Sequence, residues 1–142
     1  MGTIAVPTWE NRTPYRGIEA VFTEKLIEAV NRRGLARVVP PAEAEAILTG
    51  RVVSISDATA SYRPTGPDTY APADYRIMVV AEIRVTRRSD QKLLWALTSI
   101  QEEAYYDARA EPLRQGSARQ DALARTAEAI ARQVVDRWGG GF

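Results

Sequence analysis

The 142-residue chain contains no cysteine and no histidine. Without a thiol there is no disulfide, no thiolate nucleophile and no iron–sulfur ligand. Without imidazole there is no Ser-His-Asp triad, no histidine-based zinc site and no imidazole proton shuttle. Lysine is scarce as well, with Lys25 and Lys92 set against 17 arginines. No apolar run approaches the ~20 residues that a bilayer-spanning helix needs. A net charge of +1 lacks the basic excess with which a general nucleic-acid binder meets phosphate.

The remaining candidates for chemistry do not assemble into a catalytic set. Glu43 and Glu45 sit in an Ala-Glu alternation beside Pro40 and Pro41, a composition that reads as a solvated turn. Glu102 and Glu103 are neighbours in a strand pattern, so they point to opposite faces and cannot share a substrate. There is no glycine-rich phosphate loop. Asn11-Arg12-Thr13 matches a glycosylation sequon, a pattern that many chains carry by chance. No metal or cofactor is expected, and the chain reads as a binding protein, not an enzyme.

What is present is an ordinary globular balance, 45% hydrophobic and 26% charged, at a length that suits one domain. Thr3–Trp9 predicts a first strand. Ile18, Phe22, Leu26 and Val30 recur every four residues and predict a helix over Ile18–Arg33, with Gly34 as its cap. A second strand is expected from Ile47 to Ser56, extending towards Tyr62, with Gly50 as a bulge or a point of close approach. Residues 63–74 hold Pro64, Gly66, Pro67 and Pro72 and read as a long irregular loop. Tyr75, Ile77, Val79, Ala81, Ile83 and Val85 then alternate with a mixed set, predicting a third strand with one apolar face. A turn over 87–92 leads to a fourth strand, Leu93 to Tyr105, whose inward parity the pattern leaves open.

Ser117-Ala118-Arg119-Gln120 fits a capping box, and Leu123, Ala127, Ile130, Val134 and Trp138 continue it as a helical stripe stopped by Gly139-Gly140-Gly141. The order β-α-β-β-β-α predicts an α+β two-layer sandwich, with both helices on one face of a four-stranded mixed sheet. A right-handed crossover should join the first strand to its parallel neighbour. The other face of the sheet stays uncovered, as plain solvent surface or as a docking surface.

The cations gather at expected loops: Arg63 after Tyr62, Arg87, Arg88 and Lys92 at a hairpin tip, and Arg109 and Arg114 before the last helix. Arginine beside aromatic surface suits a ligand with phosphates and a greasy portion. Charged turns are equally what solubility alone produces. Met1-Gly2-Thr3 runs straight into Ile4-Ala5-Val6, with no basic stretch of a signal peptide and with Val6 where a myristoylation motif wants Ser or Thr. The start reads as trimmed, with any export signal or lipid anchor upstream.

Ile4-Ala5-Val6-Pro7-Thr8-Trp9-Glu10-Asn11-Arg12-Thr13, Gly17-Ile18-Glu19 and Phe22-Thr23, then Ala42 through Gly50, Val53-Ser54-Ile55, Leu94-Trp95 and Val134-Val135-Asp136-Arg137 form a series of segments. Together they resemble the lipopolysaccharide-assembly lipoprotein family, LptE. The resemblance covers nearly the whole chain in order. It implies a non-catalytic, periplasmic-side outer-membrane lipoprotein that plugs the large barrel subunit LptD and binds lipopolysaccharide. The family's two-helix, four-stranded fold agrees with the pattern read above, and its lipid-bearing cysteine would lie in the missing upstream part. Carried over residue by residue, the lipopolysaccharide-binding positions are Arg63, through Thr59-Ala60-Ser61-Tyr62-Arg63, and Arg114 in the segment before the last helix. The alternative is a periplasmic scaffold domain of an envelope secretion machine or a TolB-like protein, making protein contacts only. An enzyme acting on a phosphorylated substrate through Tyr and Arg is the third and weakest reading.

Overall fold

The computed structural model describes residues 2–109 and 112–139. Its strands are β1 (Gly2–Ala5), β2 (Glu10–Asn11), β3 (Ala36–Val38), β4 (Ala46–Gly66), β5 (Thr69–Arg87) and β6 (Leu93–Asp107). Its helices are α1 (Ile18–Arg33) and α2 (Pro112–Trp138), with a short 3-10 turn at Pro41–Glu43. The strands form one mixed sheet in the order β3-β1-β4-β5-β6, and β2 also pairs with β4. β1 runs parallel to both β3 and β4, while β4, β5 and β6 are antiparallel. The α+β arrangement is the expected one, with six strands in place of four. The expected Thr3–Trp9 strand stops at Ala5, shortly before Pro7, and the two-residue β2 follows just past its expected end. β3 is a short addition ended by the Pro40-Pro41 pair that follows it.

The core lies between one sheet face and both helices. Ile18, Phe22, Leu26 and Val30 of α1 are buried at the spacing the sequence predicts, as are Leu123, Ala127, Ile130, Val134 and Trp138 of α2. Ala46, Leu48 and Val52 from β4 meet them with Ile77, Val79, Ala81, Ile83 and Val85 from β5. The opposite sheet face carries exposed and half-buried side chains with paired charges, including Arg51 between Glu10 and Glu82, and Arg76 with Glu103. Gly34 caps α1 at φ 64°, a left-handed conformation that glycine adopts at no steric cost.

β6 has no single inward parity. Trp95 and Leu97 face the core beside Val85 and Ile83, but a register shift between Leu97 and Ile100 then hands the inward positions to Ile100 and Ala104. A bulge does this by inserting a residue into one strand only.

Two expected elements differ. Residues 63–74 are not an irregular loop, because β4 and β5 stay paired to Gly66↔Thr69 around a tight turn with Asp68 at φ 57°. Prolines are tolerated there because each strand of a two-stranded ribbon has an open side where a missing N–H breaks no ladder bond. The second difference is α2, which begins at Pro112, leaving Ser117 inside the helix and the capping-box reading incorrect. A proline suits a first turn, whose N–H groups have no intrahelical partner. Gly139 follows the helix at φ 67°, while Gly140 and Gly141 lie outside the described residues.

Candidate functional site

The helices cover only part of the long β4–β5 hairpin. Val52 and Ile77 are the last fully buried residues on their strands; β6 accompanies β5 as far as Asp74↔Asp107, and past that rung β4 and β5 continue alone as a two-stranded ribbon to the turn. At ~3.3 Å per residue, the two-stranded part from Ser61 to Gly66 extends for about 17 Å. This projecting ribbon carries Arg63, paired across the ladder with Ala71.

A polar cluster lies in the three-stranded part of the sheet just below the ribbon. Arg119 from α2 donates two hydrogen bonds to Asp57 of β4, from Nε to Oδ2 at 3.0 Å and from a terminal nitrogen to Oδ1 at 2.9 Å. The Tyr106 hydroxyl donates to Asp57 Oδ2 at 2.6 Å. The Arg119 guanidinium also lies 4.5 Å from the Tyr15 ring centre, and the Tyr75 and Tyr106 rings are 5.4 Å apart. Tyr15 is held in place by Asn11, whose Nδ2 donates to the Tyr15 carbonyl at 2.7 Å while its Oδ1 accepts from the Thr13 N–H and hydroxyl. The sequon asparagine is thus the hub of a local turn.

Partial burial pushes Asp57 up, but the hydrogen bonds from Arg119 and Tyr106 outweigh it and hold the carboxyl below its ordinary range. The same burial, with the hydrogen bond to Asp57 added, pushes the Tyr106 phenol up to about 12. Together Tyr15, Asp57, Thr59, Tyr75, Tyr106 and Arg119 line an open groove of 490 Å3. No local sequence signal announced this cluster, since its members come from five separated segments.

The structure sorts the predicted cations by whether their charge is already engaged. Arg109 is paired with Asp107, donating from Nε at 3.1 Å, and the Asp107 carboxyl is held low chiefly by that guanidinium, with Arg63 adding a smaller effect through space. Arg87 pairs with Asp90 at 3.2 Å, and Arg88 Nε donates to the Ala44 carbonyl at 2.7 Å, at the far end of the sheet. Arg63 and Arg114 are exposed, and neither has an ion-pair partner among the described residues. Arg63 stands on the ribbon and Arg114 on the first turn of α2. The neighbouring Gln115 ties that turn to the strand end by donating to the Ala108 carbonyl at 3.0 Å. Strand β6 ends opposite Asp74, so the ribbon and the start of α2 emerge from the same end of the sheet.

The fold is shared with solved bacterial proteins, several of them described as lipoproteins. The rare lipoprotein B of Shewanella oneidensis superposes with a TM-score of 0.51 at 16% identity, over 96% of this chain and 92% of that one. A minor lipoprotein of Acinetobacter baumannii gives 0.61 at 7% identity, over 97% and 90%. The PelC dodecamer of Paraburkholderia phytofirmans gives 0.57 at 17%, over 94% and 86%. At such identities these likenesses speak for the fold alone. No curated sequence matches significantly.

The lipopolysaccharide-assembly family model, LptE, matches residues 1–138, and the chain belongs to that family. It is therefore a member of a lipopolysaccharide-assembly family, whose part in that assembly is non-catalytic.

Proposed function

We propose that this chain is the single soluble domain of an outer-membrane lipoprotein, anchored from upstream on the periplasmic side. In this reading it binds lipopolysaccharide and plugs the barrel translocon LptD, and catalyses nothing. The observation that carries the reading is the exposed Arg63, without an ion-pair partner among the described residues, on a ribbon projecting from a closed core in a chain of this family. A phosphate group is well matched by an exposed guanidinium with no carboxylate already on it. Arg114, on the first turn of α2, is the second proposed contact. The uncovered sheet face and the ribbon give the barrel wall two surfaces to meet.

The test is lipopolysaccharide binding by the domain and its Arg63→Ala and Arg114→Ala variants, at two salt concentrations. The expected result is a several-fold weaker affinity for each variant, a shallower salt dependence, and melting temperatures within about 2 °C of the parent, since exposed arginines contribute little stability. Co-expression of the anchored protein with the barrel should recover the two as one complex. Binding that ignores both substitutions would remove these arginines from the site.

A further inference from the structure

The far end of the ribbon is a regular ladder with the rungs Tyr62↔Pro72, Arg63↔Ala71 and Pro64↔Tyr70. Cross-strand partners share a face, and so do residues two apart on one strand. Tyr62, Pro64, Tyr70 and Pro72 therefore stand together on one face, with Arg63 and Ala71 on the other. Tyr62 and Tyr70 are 65% and 68% exposed, more than any other large hydrophobic residue described. Among the described residues neither ring has an aromatic, cationic or hydrogen-bonding partner. Four rings thus form an apolar patch that packs on nothing in the core.

The chemistry of the patch narrows its occupant. An added β-strand is disfavoured, because Pro64 and Pro72 offer no N–H and the ladder shifts register on both sides of these rungs. A sugar calls for many donors and acceptors, and this face has only two hydroxyls. A charged partner would find no counter-charge there, since the four side chains carry none. Apolar chains fit it, and the middle rung holds the exposed guanidinium of Arg63, without an ion-pair partner among the described residues and on a side chain long enough to reach past the ribbon edge to a phosphate.

We propose that the ribbon tip grips an anionic amphiphile on two sides. Tyr62, Pro64, Tyr70 and Pro72 take its acyl chains, while Arg63 takes its phosphate. This deepens the lipopolysaccharide-binding reading and rests on it. The tip then recognises the junction of headgroup and chains, and the two tyrosines are ligand-contacting residues beside Arg63.

The experiment measures the affinity of the parent domain, the double variant Tyr62→Ser/Tyr70→Ser, the conservative double variant Tyr62→Phe/Tyr70→Phe, and Arg63→Ala. The probes are lipopolysaccharide, fully deacylated lipopolysaccharide that keeps sugars and phosphates, and phosphatidylglycerol vesicles. The serine pair should weaken lipopolysaccharide binding by about tenfold or more, from the apolar area lost, and leave binding of the deacylated form unchanged. The phenylalanine pair should bind as the parent does, and Arg63→Ala should weaken both lipopolysaccharide probes. Parent-like lipopolysaccharide binding by the serine pair would overturn the two-sided grip and leave the lipid-binding reading standing. A parent that binds neither lipopolysaccharide probe would overturn both. Equal binding of the vesicles, lost in the serine pair, would overturn lipopolysaccharide as the occupant and assign the tip to a phospholipid surface. Unchanged circular dichroism and melting confirm that the variants are folded.

Discussion

At Gly50, a methyl group would stand 2.2 Å from Trp9 Cε2, so the indole lies directly on the backbone of β4. Trp9 is buried and also contacts Phe22, with ring centres 5.4 Å apart, so it cannot simply swing away. Gly50→Ala should therefore cost about 3 kcal/mol, seen as a fall in melting temperature of about 10 °C. Adding Trp9→Leu should restore part of the loss, giving a double variant less damaged than the sum of the two singles. The sequence marked Gly50 as a point of close approach. It could not reveal the partner, because nothing in a strand pattern points to a residue 41 positions earlier.

The Asp57 cluster gives the residue scale a pH signature. The folded carboxyl titrates below its unfolded value of 3.8, so its contribution is present above that pH and is lost as pH falls through the lowered value. Arg119→Ala should destabilise by about 1 kcal/mol at neutral pH, since the pair is only partly buried. The gap to the parent should close in melts taken as the pH falls through that lowered value. Tyr106 works at the opposite limit. Its folded value of about 12 lies above the unfolded 10.0, so its share of stability holds below pH 10.0 and disappears as pH rises through about 12. Tyr106→Phe should flatten that alkaline decline.

Among the elements, α1 was legible to the residue because a four-residue apolar repeat and a following glycine leave little freedom. The last helix was legible in its stripe but not in its start. Ser117-Ala118-Arg119-Gln120 has the letters of a cap, yet the preceding turn is helical as well. Ser117→Ala should accordingly change stability by less than about 0.5 kcal/mol in a denaturant titration, where removing a true serine cap costs about 1 kcal/mol. The ribbon was misread for a related reason: prolines that would interrupt a central strand are harmless where a strand has an open side. For β6, the alternation pattern presented two conflicting answers, and the bulge after Leu97 makes each correct over half of the strand.

For the whole molecule, burial and exposed chemistry occupy different places. The core ends near Val52 and Ile77, while Arg63, Tyr62 and Tyr70 sit well beyond it. Replacing residues 62–72 with a two-residue turn should leave the melting temperature within a few degrees of the parent and abolish lipopolysaccharide binding, checked by calorimetry and a binding titration on the same preparation. The fold was readable from periodicity, and the family from segments spread along the chain. The binding end was only half readable. Arg63 was found through the family resemblance, but its unpaired state depends on where Asp107 and Arg109 lie, and the tyrosine face depends on ladder register.

A two-stranded ribbon fixed at one end is a cantilever. A load at its tip passes down β4 towards Asp57, which Arg119 and Tyr106 both hold. Because Arg119 belongs to α2, a push on the distant tyrosines is levered onto the opening turns of that helix. Asp57 is in this way one of the links between the ribbon and the helix layer, beside the Gln115 bond to the Ala108 carbonyl.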